Sequence, residues 1–457
     1  MSAITLHPNS MNRLALDFAR LPGRSLARPV ARFLASLGAL LVLLCAGTAQ
    51  AQLVVDLNEG HRQPMPIAIT NFAGAQGANI ASVVRSDLQS TGLFAVQDPA
   101  AFLERNPDVN VAPRFADWRV TNTVALVVGR TVVEGERMRV EFRLWDVYGE
   151  TQMLGLEFNS TQDNWRRVAH KVADAIYQRL TGLSGMFDSR VVFVAESGPR
   201  TNRVKRLAVM DQDAAGPSYL TSGDEQVLNP RFNASGQQIV YTALSDRGMR
   251  LWVLDIESGR REAITGLGNM VFAPRFTPDG QGVIFSADSN GNTDIYLRNL
   301  RTRETRRLTT AAAIDTSPDM SPDGRQVVFT SDRGGSPQIY RMNADGSGAV
   351  RLSFGSGSYS TPVWSPDGRY IAFTRQSGGR FQIGVMNPDG SGERILAESY
   401  LVEGPTWAPN GRVIMFQREA APGAGPELWT VDVSGQNQRR LPYPAGASDP
   451  AWSPLQD

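Results

Sequence analysis

Thr361-Pro362-Val363-Trp364-Ser365-Pro366-Asp367-Gly368, followed by Tyr370-Ile371-Ala372-Phe373-Thr374, decides the fold, because the chain keeps repeating it. Close copies are Ser317-Pro318-Asp319-Met320-Ser321-Pro322-Asp323-Gly324 and Gly404-Pro405-Thr406-Trp407-Ala408-Pro409-Asn410-Gly411. Looser ones are Asn229-Pro230-Arg231-Phe232-Asn233-Ala234-Ser235-Gly236 and Ala273-Pro274-Arg275-Phe276-Thr277-Pro278-Asp279-Gly280. A shortened one, Asp449-Pro450-Ala451-Trp452-Ser453-Pro454, comes last. The leading prolines fall 43 to 45 residues apart, a period that marks an array of one supersecondary unit, either a propeller or a solenoid.

The pattern inside a unit chooses between the two. A short strand carrying Trp364 meets a Pro-Asp-Gly turn, in which proline presets φ and glycine takes the left-handed position. Tyr370 to Thr374 alternates as a second strand, Gln376-Ser377-Gly378-Gly379 is a loop, and Phe381 to Val385 is a third strand. Another turn, Asn387-Pro388-Asp389-Gly390, leads to a short fourth strand with Arg394-Ile395-Leu396. Four strands joined by hairpins make a propeller blade. The last copy supplies only a first strand, while Arg190-Val191-Val192-Phe193-Val194-Ala195 is a second strand without a first. Joining them closes a six-bladed ring and removes the exposed sheet edge.

Residues 1–51 read as a cleavable export signal. Arg13, Arg20, Arg24, Arg28 and Arg32 lead into an apolar run from Phe33 to Ala46, and Ala49-Gln50-Ala51 has the small residues of a cleavage site. The run is short for a membrane span, and Leu44 before Cys45, the one cysteine, does not suit a lipidation site. Met11 offers a second start. Cleavage takes away five of 46 basic residues and one of 45 acidic ones, turning a net charge of +1 into −3. An exported chain without disulfides suits a bacterial periplasm.

Residues 52–183 follow a different pattern and form the expected small α/β domain, with the propeller over 184–457. Leu53 to Asn58 reads as an N-terminal strand. Ile80, Val83, Val84 and Leu88 share a helix face ended by Gly92, and Asp98-Pro99 reads as a helix start. Val124 to Val128 opens a meander in which Met138, Val140, Phe142 and Leu144 alternate with Arg137, Arg139, Glu141 and Arg143, one face buried and the other solvated. A turn at Tyr148-Gly149 and a strand near Thr151 to Phe158 complete it. A helix from about Asn164 to Leu180 buries Trp165, Val168, Val172, Ile176 and Leu180 and stops at Gly182. Helices on a mixed sheet, then an all-β ring, are the expected architecture.

Little catalytic chemistry is on offer. The three histidines are His7, His61 and His170, none in the repeats, and no Gly-x-Ser-x-Gly elbow occurs, so neither a Ser-His-Asp arrangement nor a zinc site is expected. His170 reads as an exposed helical residue and His61 as a loop residue. Asp279, Asp323 and Asp367 read as turn residues that bond their own backbone rather than as calcium ligands, since Asn410 and Ser235 fill the same place. Arg306, Arg307, Arg351, Arg394, Arg439 and Arg440 recur around the fourth strands and read as blade-edge solubility rather than a nucleic-acid surface. No cofactor or metal is expected. On the residues alone, an exported propeller hydrolase and a propeller binding a small molecule or calcium remain alternatives to a protein scaffold.

Signal, small α/β domain, Pro-x-Trp-Ser-Pro-Asp-Gly repeats, Asn-x-Asp-Gly-Ser-Gly segments and a closing Pro-Ala-Trp-Ser-Pro together resemble the TolB family of the Tol-Pal envelope system, over essentially all of 52–457. The repeat alone also occurs in propellers attached to prolyl peptidases, but those carry a hydrolase domain. The resemblance implies a non-enzymatic periplasmic scaffold that binds the peptidoglycan-associated lipoprotein Pal and the C-terminal domain of TolA, supporting outer-membrane integrity and constriction in cell division. It places Pal on the loops before the leading prolines, where the residues two positions upstream are Leu228, Phe272, Thr316, Ser360, Glu403 and Ser448, with Met270 nearby. Phe272 and Met270 are read as exposed loop residues, with blade-to-blade packing as the alternative. It places TolA on the segment holding Leu53, Val54, Val55, Asp56, Leu57 and Asn58, where a free strand can add to a partner's sheet.

Overall fold

The computed structural model describes Leu53, Val55 and residues 63–246, 248–268, 270–289 and 291–456. Residues 1–51, read as an export signal, and Gln52, Val54, Asp56, Leu57, Asn58 and His61 lie outside the described residues.

The N-terminal part is a five-stranded mixed sheet ordered β2-β1-β3-β4-β5, with β1 Met65–Ile69, β2 Phe94–Val96, β3 Ala125–Glu134, β4 Arg137–Asp146 and β5 Thr151–Thr161. β1 runs parallel to β2 and β3, and the rest is antiparallel. Helices α1 Gly77–Ser90 and α3 Trp165–Thr181 bury Ile80, Val84, Leu88, Val168, Val172, Ile176 and Leu180 against it. The short helix α2, Phe115–Val120, puts Trp118 on the opposite face beside Phe102, Leu126 and Val128. Gly92 and Gly182 take left-handed backbone just past α1 and α3, as the sequence requires of helix stops. Asp98 accepts the Ala100 amide at 2.9 Å to cap a single 3₁₀ turn.

Two expectations fail here. Glu141 is buried, because Arg130 on β3 and Arg139 on its own strand both pair with it. Leu53 and Val55 are not in a strand. Val55 is buried in the main core and its amide donates to Leu180 O at 2.7 Å, so a carbonyl left over at the end of α3 holds it in place of a sheet.

Six four-stranded sheets follow, ordered as hairpin-linked blades. The first five span 226–263, 271–307, 315–351, 358–399 and 401–440. The sixth joins Gly446–Trp452 to β6 Arg190–Ser197, β7 Val204–Asp211 and β8 Ser218–Tyr219, closing the ring as the sequence predicts. Each first strand touches the next around the centre and the last returns to the first. Between blades sits one buried aromatic from every second strand: Phe193, Tyr241, Phe285, Phe329, Phe373 and Phe416. In the turns, Asp279, Asp323 and Asp367 each accept the amide two residues on, at 3.0, 3.1 and 3.0 Å, as read from the sequence.

The first strands are not simple. In all six, pairing shifts register around the leading proline, which cannot donate to the ladder. The residue just before it is left-handed: Asn229, Ala273, Ser317, Thr361 and Asp449 at φ 48 to 53°, and Gly404 at 64°. Five of these carry a Cβ that this backbone disfavours. Ala273→Gly is therefore expected to stabilise the protein by about 0.5–1 kcal/mol, the left-handed cost of about 1–2 kcal/mol less the freedom glycine gains when unfolded. The check is a higher urea midpoint at unchanged slope.

Candidate partner-binding face

Antiparallel blades give the ring two unlike ends. Turns between first and second and between third and fourth strands lie at one end, and the α/β module sits there. Asn437 Nδ2 donates to Ser90 O at 2.8 Å, Gln212 Nε2 to Asp87 Oδ1 at 3.0 Å, and Arg166 pairs with Asp211 and Asp213. Among the described residues, none from the α/β module covers the opposite end, where one blade's fourth strand crosses to the next blade's first.

All six residues placed two before the prolines lie inside first strands, not in loops, because pairing resumes upstream of each bulge. They occupy one register, opposite Thr242, Ser286, Thr330, Thr374, Gln417 and Val194. Leu228, Phe272, Thr316, Ser360 and Glu403 are half-buried and Ser448 is buried, its hydroxyl donating to Glu196 at 2.7 Å. Phe272 is thus not an exposed loop residue. Met270 is, at 52% exposure.

Among the described residues, the connections entering four successive blades expose Met270, Ile314, Phe354 at 74% exposure, and Tyr400. Arg351 lies over the Phe354 ring at 5.0 Å, holding it from behind. Ile314 sits four residues before Pro318, as Met270 does before Pro274. The signal that could have found Ile314, Phe354 and Tyr400 is a large apolar residue in the connection between one blade's fourth strand and the next blade's first.

Charges fill the space inside the first strands. Arg275 pairs with Asp319 at 3.3 Å, and the other oxygen of Asp319 accepts the Trp364 amide at 2.7 Å, tying three blades together. Burial and the neighbouring Arg275 push Arg231 down to about 9, and Asn229 donates to Asp449 at 3.3 Å. Glu403 has its pKa raised by burial and by the Asp449 and Glu419 carboxylates. Arg307 and Arg351 do more than keep an edge soluble: each donates from Nε to the carbonyl two residues on, Thr309 O and Ser353 O, and Arg307 also pairs with buried Asp294.

His170 departs furthest from expectation. It is 2% exposed, Nδ1 lies 2.7 Å from Asp87 Oδ2, and Asp211 and Asp213 gather near Nε2. Docking of α3 on the propeller buries a helix face that the helix alone would leave in water. Arg166 already pairs with both Asp211 and Asp213, so a guanidinium stands where a metal ion would.

A closed propeller with one end capped by its own α/β module and the other presenting apolar side chains is the build of an interaction propeller. Residues 177–456 match the TolB beta propeller domain and 53–153 the TolB amino-terminal domain. The crystal structure of TolB from Acinetobacter baumannii is similar with a TM-score of 0.78 at 31% identity, over 88% of this chain and 100% of that one. A TolB candidate from Agrobacterium tumefaciens is similar at 23% identity and a TM-score of 0.46, over 57% and 90% of the two chains. The chain belongs to the TolB family, non-enzymatic periplasmic propellers of the Tol-Pal system. Among the described residues no helix is long and apolar enough to cross a membrane.

Because the folded pKa of Glu403 lies above its ordinary value, its ionised form works against the fold at neutral pH, and that cost fades as pH falls through the folded pKa. Glu403→Gln is expected to raise the melting temperature at pH 7 and to leave it unchanged at about pH 3.5. Parallel thermal scans at the two pH values check this.

Proposed function

We propose that this protein is a periplasmic scaffold that holds Pal at the open end of its propeller and engages TolA through its N-terminal segment, supporting outer-membrane integrity and constriction in cell division. The observation that carries the reading is the line of Met270, Ile314, Phe354 and Tyr400 along the uncovered end, since isolated apolar anchors ringed by polar groups are what binding surfaces concentrate energy on. Phe272, Thr316, Ser360, Glu403, Leu228 and Ser448 lie just inside that rim and serve as its floor. The half-buried carboxylates of Glu403 and Asp449 suit a cationic or hydrogen-bond-donating group on the partner. For TolA, the candidate residues are Leu53 to Asn58. Val55 is held by Leu180 and the core, so a partner that takes the segment must first break that contact.

Calorimetric titration with the soluble domain of Pal from the same cell tests the first half. One-to-one binding that weakens by at least about tenfold in Phe354→Ala or Met270→Ala is expected. No binding by the folded protein would overturn it. For TolA, deleting Gln52 to Asn58 is expected to abolish binding while leaving Pal affinity intact, and unchanged TolA affinity would remove the N-terminal assignment.

A further inference from the structure

We propose that His170, as an imidazolium, is the charged lock that fixes the α/β module on the propeller. The inference concerns the joint between the two modules and does not rest on the identity of any partner.

The lock is built from both sides. α1 contributes Asp87, whose side chain is fully buried. α3 contributes Arg166 and His170, one helical turn apart and on one face. The propeller contributes Asp211, at the end of β7, with Gln212 and Asp213 in the turn that follows. His170 Nδ1 is 2.7 Å from Asp87 Oδ2, and Gln212 Nε2 donates to the other oxygen of Asp87 at 3.0 Å. Arg166 Nε donates to Asp211 Oδ2 at 2.9 Å, and its terminal nitrogen pairs with Asp213. Asp87 thus reaches the propeller through Gln212, and the propeller reaches α3 through Arg166.

The geometry favours an imidazolium, although burial also raises the pKa of its partner Asp87. His170 Nε2 makes no hydrogen bond, yet it faces Asp211 Oδ2 at 3.7 Å, the distance of an ion pair. A neutral imidazole donating from Nδ1 to Asp87 would turn its Nε2 lone pair toward a second carboxylate, an arrangement that repels. An imidazolium turns an N–H toward that carboxylate and attracts it. Burial opposes the charge, but the Asp87, Asp211 and Asp213 carboxylates outweigh it and push His170 up to about 10. Arg439, from the fourth strand of the fifth blade, adds a further positive charge within reach of Asp87 and Asp213.

A cluster of this kind can specify position more than it adds stability. Removing one partner strands a buried charge, whereas removing both members of a pair is tolerated far better. The apolar part of the joint, in which Met186, Phe187 and Tyr177 share a core with Phe193, Tyr443 and Trp452, supplies adhesion without fixing orientation. Asp174 accepts the amides of Met186, Phe187 and Asp188, so the connecting chain is tied to α3 and follows the helix if it shifts.

The test compares the purified protein with His170→Gln and with Asp87→Asn/His170→Gln, by scanning calorimetry and by protease cleavage within 182–188. The native protein is expected to unfold in one transition and to resist cleavage. His170→Gln is expected to show an early separate transition and cleavage at least about tenfold faster. The double variant is expected to return to within about threefold of the native rate, because it removes both members of the pair. If His170→Gln does not fold but the double variant does, the lock stands. Native-like cleavage of His170→Gln, cleavage of the double variant as fast as the single, or failure of both variants to fold would each overturn it. So would stoichiometric micromolar Zn²⁺ binding by the native protein that His170→Gln abolishes, since the position assigned here to Arg166 would then belong to a metal.

Discussion

A left-handed residue before each leading proline sets the geometry at the centre of the ring. Proline cannot donate to a sheet ladder, so a proline within the innermost strand forces a bulge, and the left-handed residue lets the strand pass around it and resume pairing. The bulge also frees side chains and amides that would otherwise be spent within one blade. Asp319 uses this to accept the amide of Trp364 in the next blade while pairing with Arg275 in the previous one. Five blades accept a disfavoured backbone on a residue with a Cβ, and they do so beside the uncovered end of the ring, where local strain often accompanies binding.

Everything outside the ring follows from its two unlike ends. The α/β module lies over the hairpin turns, and its helices continue the hydrophobic core of the fifth and sixth blades, so Ile80 on α1 and Trp452 on the closing strand share one apolar cluster. Met270, Ile314, Phe354 and Tyr400 are exposed at the opposite end. α3 ties the parts together: its first turns meet the propeller through Arg166 and His170, its middle holds the connecting segment through Asp174, and its last carbonyls receive Val55.

What the sequence reveals is local or periodic. Blade count, ring closure and the Asp-Gly turns could be read because a period near 44 residues, turn chemistry and strand alternation are short-range signals. The helix stops at Gly92 and Gly182 could be read for the same reason. What it hides depends on docking. His170 looks like a solvated helical residue until a propeller turn covers it, and Glu141 looks solvated until Arg130 reaches across from the neighbouring strand. Leu228 and its five counterparts read as loop residues because proline suggests a strand's beginning, whereas here the strand starts before the proline and bulges at it. Phe354 and Tyr400 escape notice because no repeat position marks them.

The closing strand also has a consequence in time. Arg190 donates its amide to the Ser453 hydroxyl, a contact between residues 263 positions apart, and the sixth blade has no first strand until Gly446–Trp452 arrives. Contacts of such separation form late, because a long loop must close before they reward the chain. Until then β6 keeps an open edge able to pair with other chains. A chain cut short anywhere before that strand carries this open edge permanently, so the same seven residues that complete the ring also distinguish a finished molecule from an unfinished one.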